Sequence, residues 1–143
     1  EGLKLTLEEK GELAYFESGR ADLTKAMEKI LGQVAPILKE LAKKNHDIIV
    51  EGHTDNQPIH NEYFYSNWEL ATARATTVVE YLVKEMKFPP DKMGSLGYGE
   101  YRPLCREHTS MCRARNRRVV FFVKNPPLSS RIQSMTPGGK PNE

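Results

Sequence analysis

The side chains best suited to chemistry gather between Val50 and Arg74, in the run VEGHTDNQPIHNEYFYSNWELATAR. Arg74 is the anomaly. Leu70, Ala73, Val78, Tyr81 and Leu82 recur at helical spacing with Thr77 beside them, and Arg74 falls four residues after Leu70 and four before Val78, on the same stripe. A guanidinium on a core-facing stripe needs an anion, because burying it unpaired is costly. Asp55, in the polar segment His53-Thr54-Asp55-Asn56 just upstream, is the nearest candidate. Two readings follow. Asp55 and Arg74 form an internal ion pair that braces the loop, or together they grip a ligand carrying both an ammonium and a carboxylate, with the planar fork of the arginine on the acid.

Other clusters compete with that one. His53, Asp55, His60 and Glu62 could be drawn as an acid–base or metal group. No G-x-S-x-G or H-E-x-x-H spacing accompanies them, so an enzyme is disfavoured. Cys105 and Cys112 could close a small loop in an oxidising compartment. With His108 between them they are also three possible zinc ligands, one short of a structural site. Arg113, Arg115, Arg117 and Arg118 raise the question of nucleic acid. A net charge of only +2 argues against a phosphate footprint, and Arg117 and Arg118 stand at the edge of an apolar strand.

The elements that must position these residues are legible. Leu3, Leu5 and Leu7 alternate with polar residues as a half-buried strand, followed by a turn around Gly11 and a short extended piece over Leu13–Phe16. Met27, Ile30, Leu31, Val34, Leu38 and Leu41 share one face of a helix from about Thr24 to Lys44, where Pro36 predicts a kink or break. Ile48-Ile49-Val50 is a β-branched strand closed by a turn at Gly52. Ser66-Asn67-Trp68-Glu69 has capping-box spacing and opens a helix to about Lys87, with the lone tryptophan, Trp68, read as a packing residue. Phe88-Pro89-Pro90 stops it. Met93–Tyr98 is a weak strand, and Gly97-Tyr98-Gly99 suggests close backbone approach. Tyr101–Arg115 is polar loop with room for a helical turn, and Val119–Val123 is a central strand with both faces covered. The order strand, helix, strand, helix, strand, strand predicts a two-layer α+β sandwich, a βαβαββ mixed sheet with two helices on one face.

A chain of 143 residues with 38% hydrophobic and 28% charged residues suits one soluble domain, read as residues 1–124. Residues 125–143, rich in Pro, Gly and Ser, read as a disordered tail. The chain opens on Glu1 rather than Met, which suggests a piece of a longer protein. No apolar run of about 18 residues occurs that would span a membrane, and no signal peptide is visible.

Four blocks in order, GHTDN, SNWELATARA, LGYGEYRP and RARNRRV, resemble the OmpA-like peptidoglycan-binding domain over about Leu3 to Lys124. DNQPI, SNWEL and FESGRADL are most similar to its MotB branch, the flagellar motor stator subunits. The resemblance implies non-covalent binding of the cell-wall peptide stem, with Asp55 and Arg74 as the anchor pair for diaminopimelate. It extends the site, residue by residue, to Phe16, Thr54, Asn67, Leu70 and Arg117. It implies no cofactor and no metal. It also implies a periplasmic domain held by an inner-membrane helix outside this fragment, a MotA-like partner and a homodimer. The alternative is the wall anchor of an OmpA- or Pal-type envelope protein. Two departures stand out: Ala71 where the family often has Ser, and the Cys105/Cys112 pair, for which a periplasmic location favours a disulfide.

Overall fold

The computed structural model describes residues 2–11 and 13–124, so the tail expected over 125–143 lies outside the described residues. Among the described residues the strands are β1 (Gly2–Glu8), β2 (Ile48–His53), β3 (Met93–Gly97) and β4 (Arg118–Lys124). The helices are α1 (Lys25–Lys43), α2 (Asn67–Met86) and α3 (Ser110–Asn116). The sheet order is β1-β4-β2-β3, with β4 antiparallel to both its neighbours and β2 parallel to β3. This is the two-layer α+β sandwich expected, with α3 formed where only a helical turn was read.

Alternation decides which side chains the sheet gives to the core. In register, Leu5 and Val50 both flank Phe121, and Leu7 lies beside Val119. These residues face the helices and join Met27, Leu31, Leu38, Val78 and Leu82 in one apolar cluster. The other face is covered by side chains: Val120 is buried, and the Phe122 ring lies under the ammonium groups of Lys4 and Lys124, at 5.4 Å and 4.6 Å.

Both long helices begin as their sequences direct. Thr24 Oγ1 accepts the Met27 N–H at 3.1 Å and Ser66 Oγ accepts that of Glu69 at 3.3 Å. Glu69 Oε1 accepts the Tyr65 N–H at 2.8 Å, one residue upstream of the usual capping-box partner. Lys87 turns left-handed with φ 62°, and the buried Phe88 donates its N–H to the Leu82 carbonyl, which ends α2.

Three expectations are corrected. Helix α1 runs unbroken through Pro36. Pro36 and Gly32, the residue whose carbonyl loses its hydrogen bond, both sit on the exposed side, where water can serve that carbonyl. Gly52 lies inside β2 rather than in a turn. A Cβ there would stand 2.2 Å from the Ala71 carbonyl oxygen, and one at Gly97 2.4 Å from the Thr72 nitrogen, so α2 rests directly on the β2 and β3 backbones. Trp68 is not buried packing: it is 50% exposed and stacks on Tyr101 with ring centres 4.9 Å apart.

Candidate functional site

Because α2 is seated so closely on β2, its first two turns overhang the end of that strand, where the chain emerges as Thr54-Asp55. Thr54 is fixed by donating its N–H to the Gly99 carbonyl at 2.9 Å and its hydroxyl to the Asp55 carbonyl at 2.9 Å. Asn67 Nδ2 donates to the Gln57 carbonyl and to Glu100 Oε1, both at 3.0 Å, which pins the loop after Asp55 to the start of α2. Leu70 supplies an apolar wall. Across from it runs the irregular segment between β1 and α1, carrying Phe16. From the third side comes Arg117, the residue between α3 and β4.

Phe16, Thr54, Asp55, Asn67, Leu70, Arg74 and Arg117 all line one pocket of about 260 Å³. Glu9, Ser18, Gly19, Gln57 and Ile59 also line it, outside the set of site residues expected from the sequence. For Glu9 a signal existed: it continues the phase of Leu3, Leu5 and Leu7, which puts a carboxylate on the core-facing side, the same kind of anomaly as Arg74.

The ionic partners differ from the simplest expectation, for no Asp55–Arg74 ion pair forms. Asp55, 8% exposed, accepts Arg117 Nη1 on Oδ2 at 2.6 Å and the Gln57 N–H on Oδ1 at 3.0 Å. Arg117 Nε in turn donates to Glu9 Oε1 at 2.8 Å. Burial works against the Arg117 charge, and the hydrogen bonds to Glu9 and Asp55 more than offset it, so its pKa lies above the ordinary value.

Arg74, 7% exposed, donates Nε to the Arg20 carbonyl at 2.8 Å and Nη2 to the Glu17 carbonyl at 3.3 Å. Its guanidinium lies 4.8 Å from the centre of the Phe16 ring. Among the described residues no carboxylate hydrogen bonds to it. Burial pushes its pKa down to about 10, with the Glu9 and Asp55 charges acting against that shift. Arg74 is still a cation at neutral pH, held by dipoles rather than by an anion, at the wall of an open pocket.

Arg117 is placed by the loop before it. Cys105 and Cys112 form a disulfide, with Cα atoms 5.4 Å apart. Asn116 Oδ1 accepts the N–H groups of Leu104 and Cys105 at 2.8 Å and 3.0 Å, and Asn116 Nδ2 donates to the Cys105 carbonyl at 2.7 Å. The loop is thus clasped twice immediately before Arg117. The neighbouring arginines point to separate partners. Arg115 pairs with Glu8, and Arg118 is buried, donating to the carbonyls of Arg102 and Asn116.

The acid–base cluster drawn from His53, Asp55, His60 and Glu62 does not assemble. His60 and Glu62 are exposed in the loop. His53 alternates with Gly52, so it points to the other face of the sheet and stacks on Tyr98 with ring centres 5.3 Å apart. Among the described residues no group of three or more His, Cys, Asp or Glu side chains is placed to hold a metal ion. Burial, followed by the charges of Arg118, Arg102 and Lys4, lowers the His53 pKa from 6.5 to about 4. The ring is therefore neutral at pH 7, with Nε2 3.4 Å from Glu51 Oε1.

Between pH 6.5 and 4 the unfolded chain binds the proton that folded His53 refuses. Above about pH 6.5 the ring is neutral in both states and the shift leaves stability unchanged; as the pH drops towards 4 stability falls, by on the order of 3 kcal/mol. Melting curves across that window check this. The wild type should lose stability more steeply than a His53→Gln variant, and equal slopes would refute the assignment.

The sequence matches the OmpA family over residues 15–117. It is 35% identical over 123 residues to Motility protein B of Bacillus subtilis (strain 168), an alignment covering 86% of this chain and 45% of that protein. The chain spans about half the length of the curated relatives it matches. Among solved structures it superimposes on the periplasmic domain of Helicobacter pylori MotB with a TM-score of 0.77 at 27% identity, covering 93% of this chain and 90% of that one. It superimposes on the cell wall anchor of the T6SS from Pseudomonas aeruginosa with a TM-score of 0.72 at 28% identity, covering 84% and 79%.

Proposed function

The chain belongs to the OmpA family, and from that premise we propose that it binds peptidoglycan non-covalently and anchors a flagellar motor stator to the cell wall. The pocket takes the free end of meso-diaminopimelate in the peptide stem. Arg74 receives the ligand carboxylate, Asp55 its ammonium, and Phe16, Thr54, Asn67, Leu70 and Arg117 complete the walls.

One observation carries this reading: Arg74 is a buried cation facing an open pocket with no anion hydrogen-bonded to it. A charge kept in that state is costly. An incoming carboxylate would offset the cost and gain two parallel charge-assisted hydrogen bonds. Pocket charges also suit a zwitterion, with two carboxylates (Glu9, Asp55) against two guanidiniums (Arg74, Arg117). The function is binding rather than catalysis and requires no cofactor.

The similarity to Motility protein B supports a periplasmic domain whose membrane anchor and MotA-like partner lie beyond this sequence, working as a homodimer. Among the described residues no helix is long and apolar enough to cross a membrane. The likeness to the P. aeruginosa cell wall anchor favours a second reading, in which the same pocket tethers another envelope assembly, including an OmpA- or Pal-type protein, to the wall.

Purified sacculi provide the test. Wild-type protein should co-sediment with them and release no muropeptides. Arg74→Ala should abolish sedimentation, and Arg74→Lys should weaken it nearly as much, at least about tenfold, because lysine keeps the charge and loses the planar fork. A lysine variant that binds like wild type would show that only a positive charge is needed.

A further inference from the structure

The pocket holds one carboxylate to which no ligand role has been given. Glu9 is 7% exposed, at the point where β1 ends. Its Oε2 accepts the Tyr15 N–H at 3.0 Å and its Oε1 accepts Arg117 Nε at 2.8 Å. The backbone is tied at the same place, since Glu9 donates its N–H to the Arg117 carbonyl at 3.3 Å. Glu9 is therefore clamped, and it holds Arg117 by the Nε edge.

This matters because Arg117 already lies on the group meant for the ligand. Its Nη1 is 2.6 Å from Asp55 Oδ2. A guanidinium prefers to meet a carboxylate through two parallel N–H groups. Freed at Nε, Arg117 would turn both terminal nitrogens onto Asp55 and fill the position an ammonium needs. Held by Glu9, it gives Asp55 a single hydrogen bond.

We propose that Glu9 is a positioning residue of this site: by holding the Nε edge of Arg117 it keeps that guanidinium from closing over Asp55, and so leaves the Asp55 carboxylate open to the ammonium of a zwitterionic ligand. This rests on the reading of the pocket as a diaminopimelate site. It assigns Glu9 to the internal counterion that the guanidinium requires, rather than to the ligand itself.

Glu9→Gln is the decisive variant. Glutamine replaces one of the two carboxylate oxygens with an NH2 donor and removes the charge, so the Tyr15 N–H and Arg117 Nε, which bond to separate oxygens of Glu9, lose one of their two acceptor atoms, and the ionic hold on Arg117 is lost. Affinity for meso-diaminopimelate, measured by calorimetry on the folded protein, should fall about tenfold. In an Arg117→Met background the same Glu9→Gln change should cost less than about twofold, because the cation that covers Asp55 is gone. A purely structural Glu9 would lower affinity equally in both backgrounds, and that result overturns the proposal. If Glu9→Gln fails to fold, nitrogen-15 NMR of the wild type decides. The Arg117 Nε–H should remain protected from exchange in the ligand complex, and loss of that protection refutes the hold by Glu9. A wild type that does not bind meso-diaminopimelate refutes the pocket reading and this inference together. Binding by the wild type with no loss in Glu9→Gln refutes this inference alone.

Discussion

Asp55→Asn is expected to lower affinity for meso-diaminopimelate by about tenfold or more, and to lower stability at the same time. The change keeps the shape of the side chain and removes its charge, so the contact with the ligand ammonium drops from a charge-assisted hydrogen bond to a neutral one. On an exposed loop the cost to folding would be slight. Asp55 is instead buried and 2.6 Å from Arg117. Asparagine leaves that guanidinium with Glu9 as its one carboxylate partner, and its amide cannot accept both the Arg117 N–H and the Gln57 N–H with the same strength. The loss of stability should be on the order of 1–3 kcal/mol. Calorimetric titration and thermal melts separate the two effects when binding is measured well below the melting temperature of the variant. A variant that melts lower but binds with wild-type affinity when folded would leave Asp55 as a loop brace and remove it from the site.

Gly52→Ala is expected to do more damage than its size suggests. The added methyl would stand 2.2 Å from the Ala71 carbonyl oxygen and 3.1 Å from the Ala71 carbonyl carbon, both backbone atoms of α2. No rotamer change relieves that clash, so strand and helix must separate. Overpacking of this kind costs about 1–3 kcal/mol or more. The displacement falls where α2 overhangs Thr54 and Asp55, so whatever protein folds should also have a widened pocket. Chemical denaturation with a sacculus-binding assay reads both effects. A stable, wild-type-binding Gly52→Ala would mean that the helix–sheet distance is not what sets the site.

The pattern of what was legible in the sequence follows the range of the forces involved. Elements set by local periodicity came through: the Leu3–Leu7 alternation, both long helices and the apolar β4 strand. Arg74 was visible because a charge on an apolar stripe breaks a local rule. Asp55 followed from its place in the adjacent polar loop. Its actual partner was hidden, because the Arg117–Asp55 and Arg117–Glu9 contacts join residues 62 and 108 apart in the sequence. Arg117 entered the site through family resemblance alone. Glu9 had its signal in the strand phase, but a turn around Gly11 immediately follows and that phase stops being readable. Pro36 and Trp68 depart from their local signals for one shared reason. Propensity describes what a residue prefers, and here solvent on the exposed face removed the penalty in one case, while the Tyr101 ring gave the indole a partner outside the core in the other.

The ladder between β1 and β4 has a mechanical meaning. It pairs Gly2 with Lys124 at one end and Glu8 with Arg118 at the other, and the pocket residues Glu9 and Arg117 follow directly on the second end. A pull entering the domain through Gly2, against a ligand gripped beside Arg117, acts along the strand axis. Such a pull loads the ladder in shear, so the seven residue pairs resist together instead of opening one after another. A tether attached at that end would strain the grip on the ligand before it strained the fold.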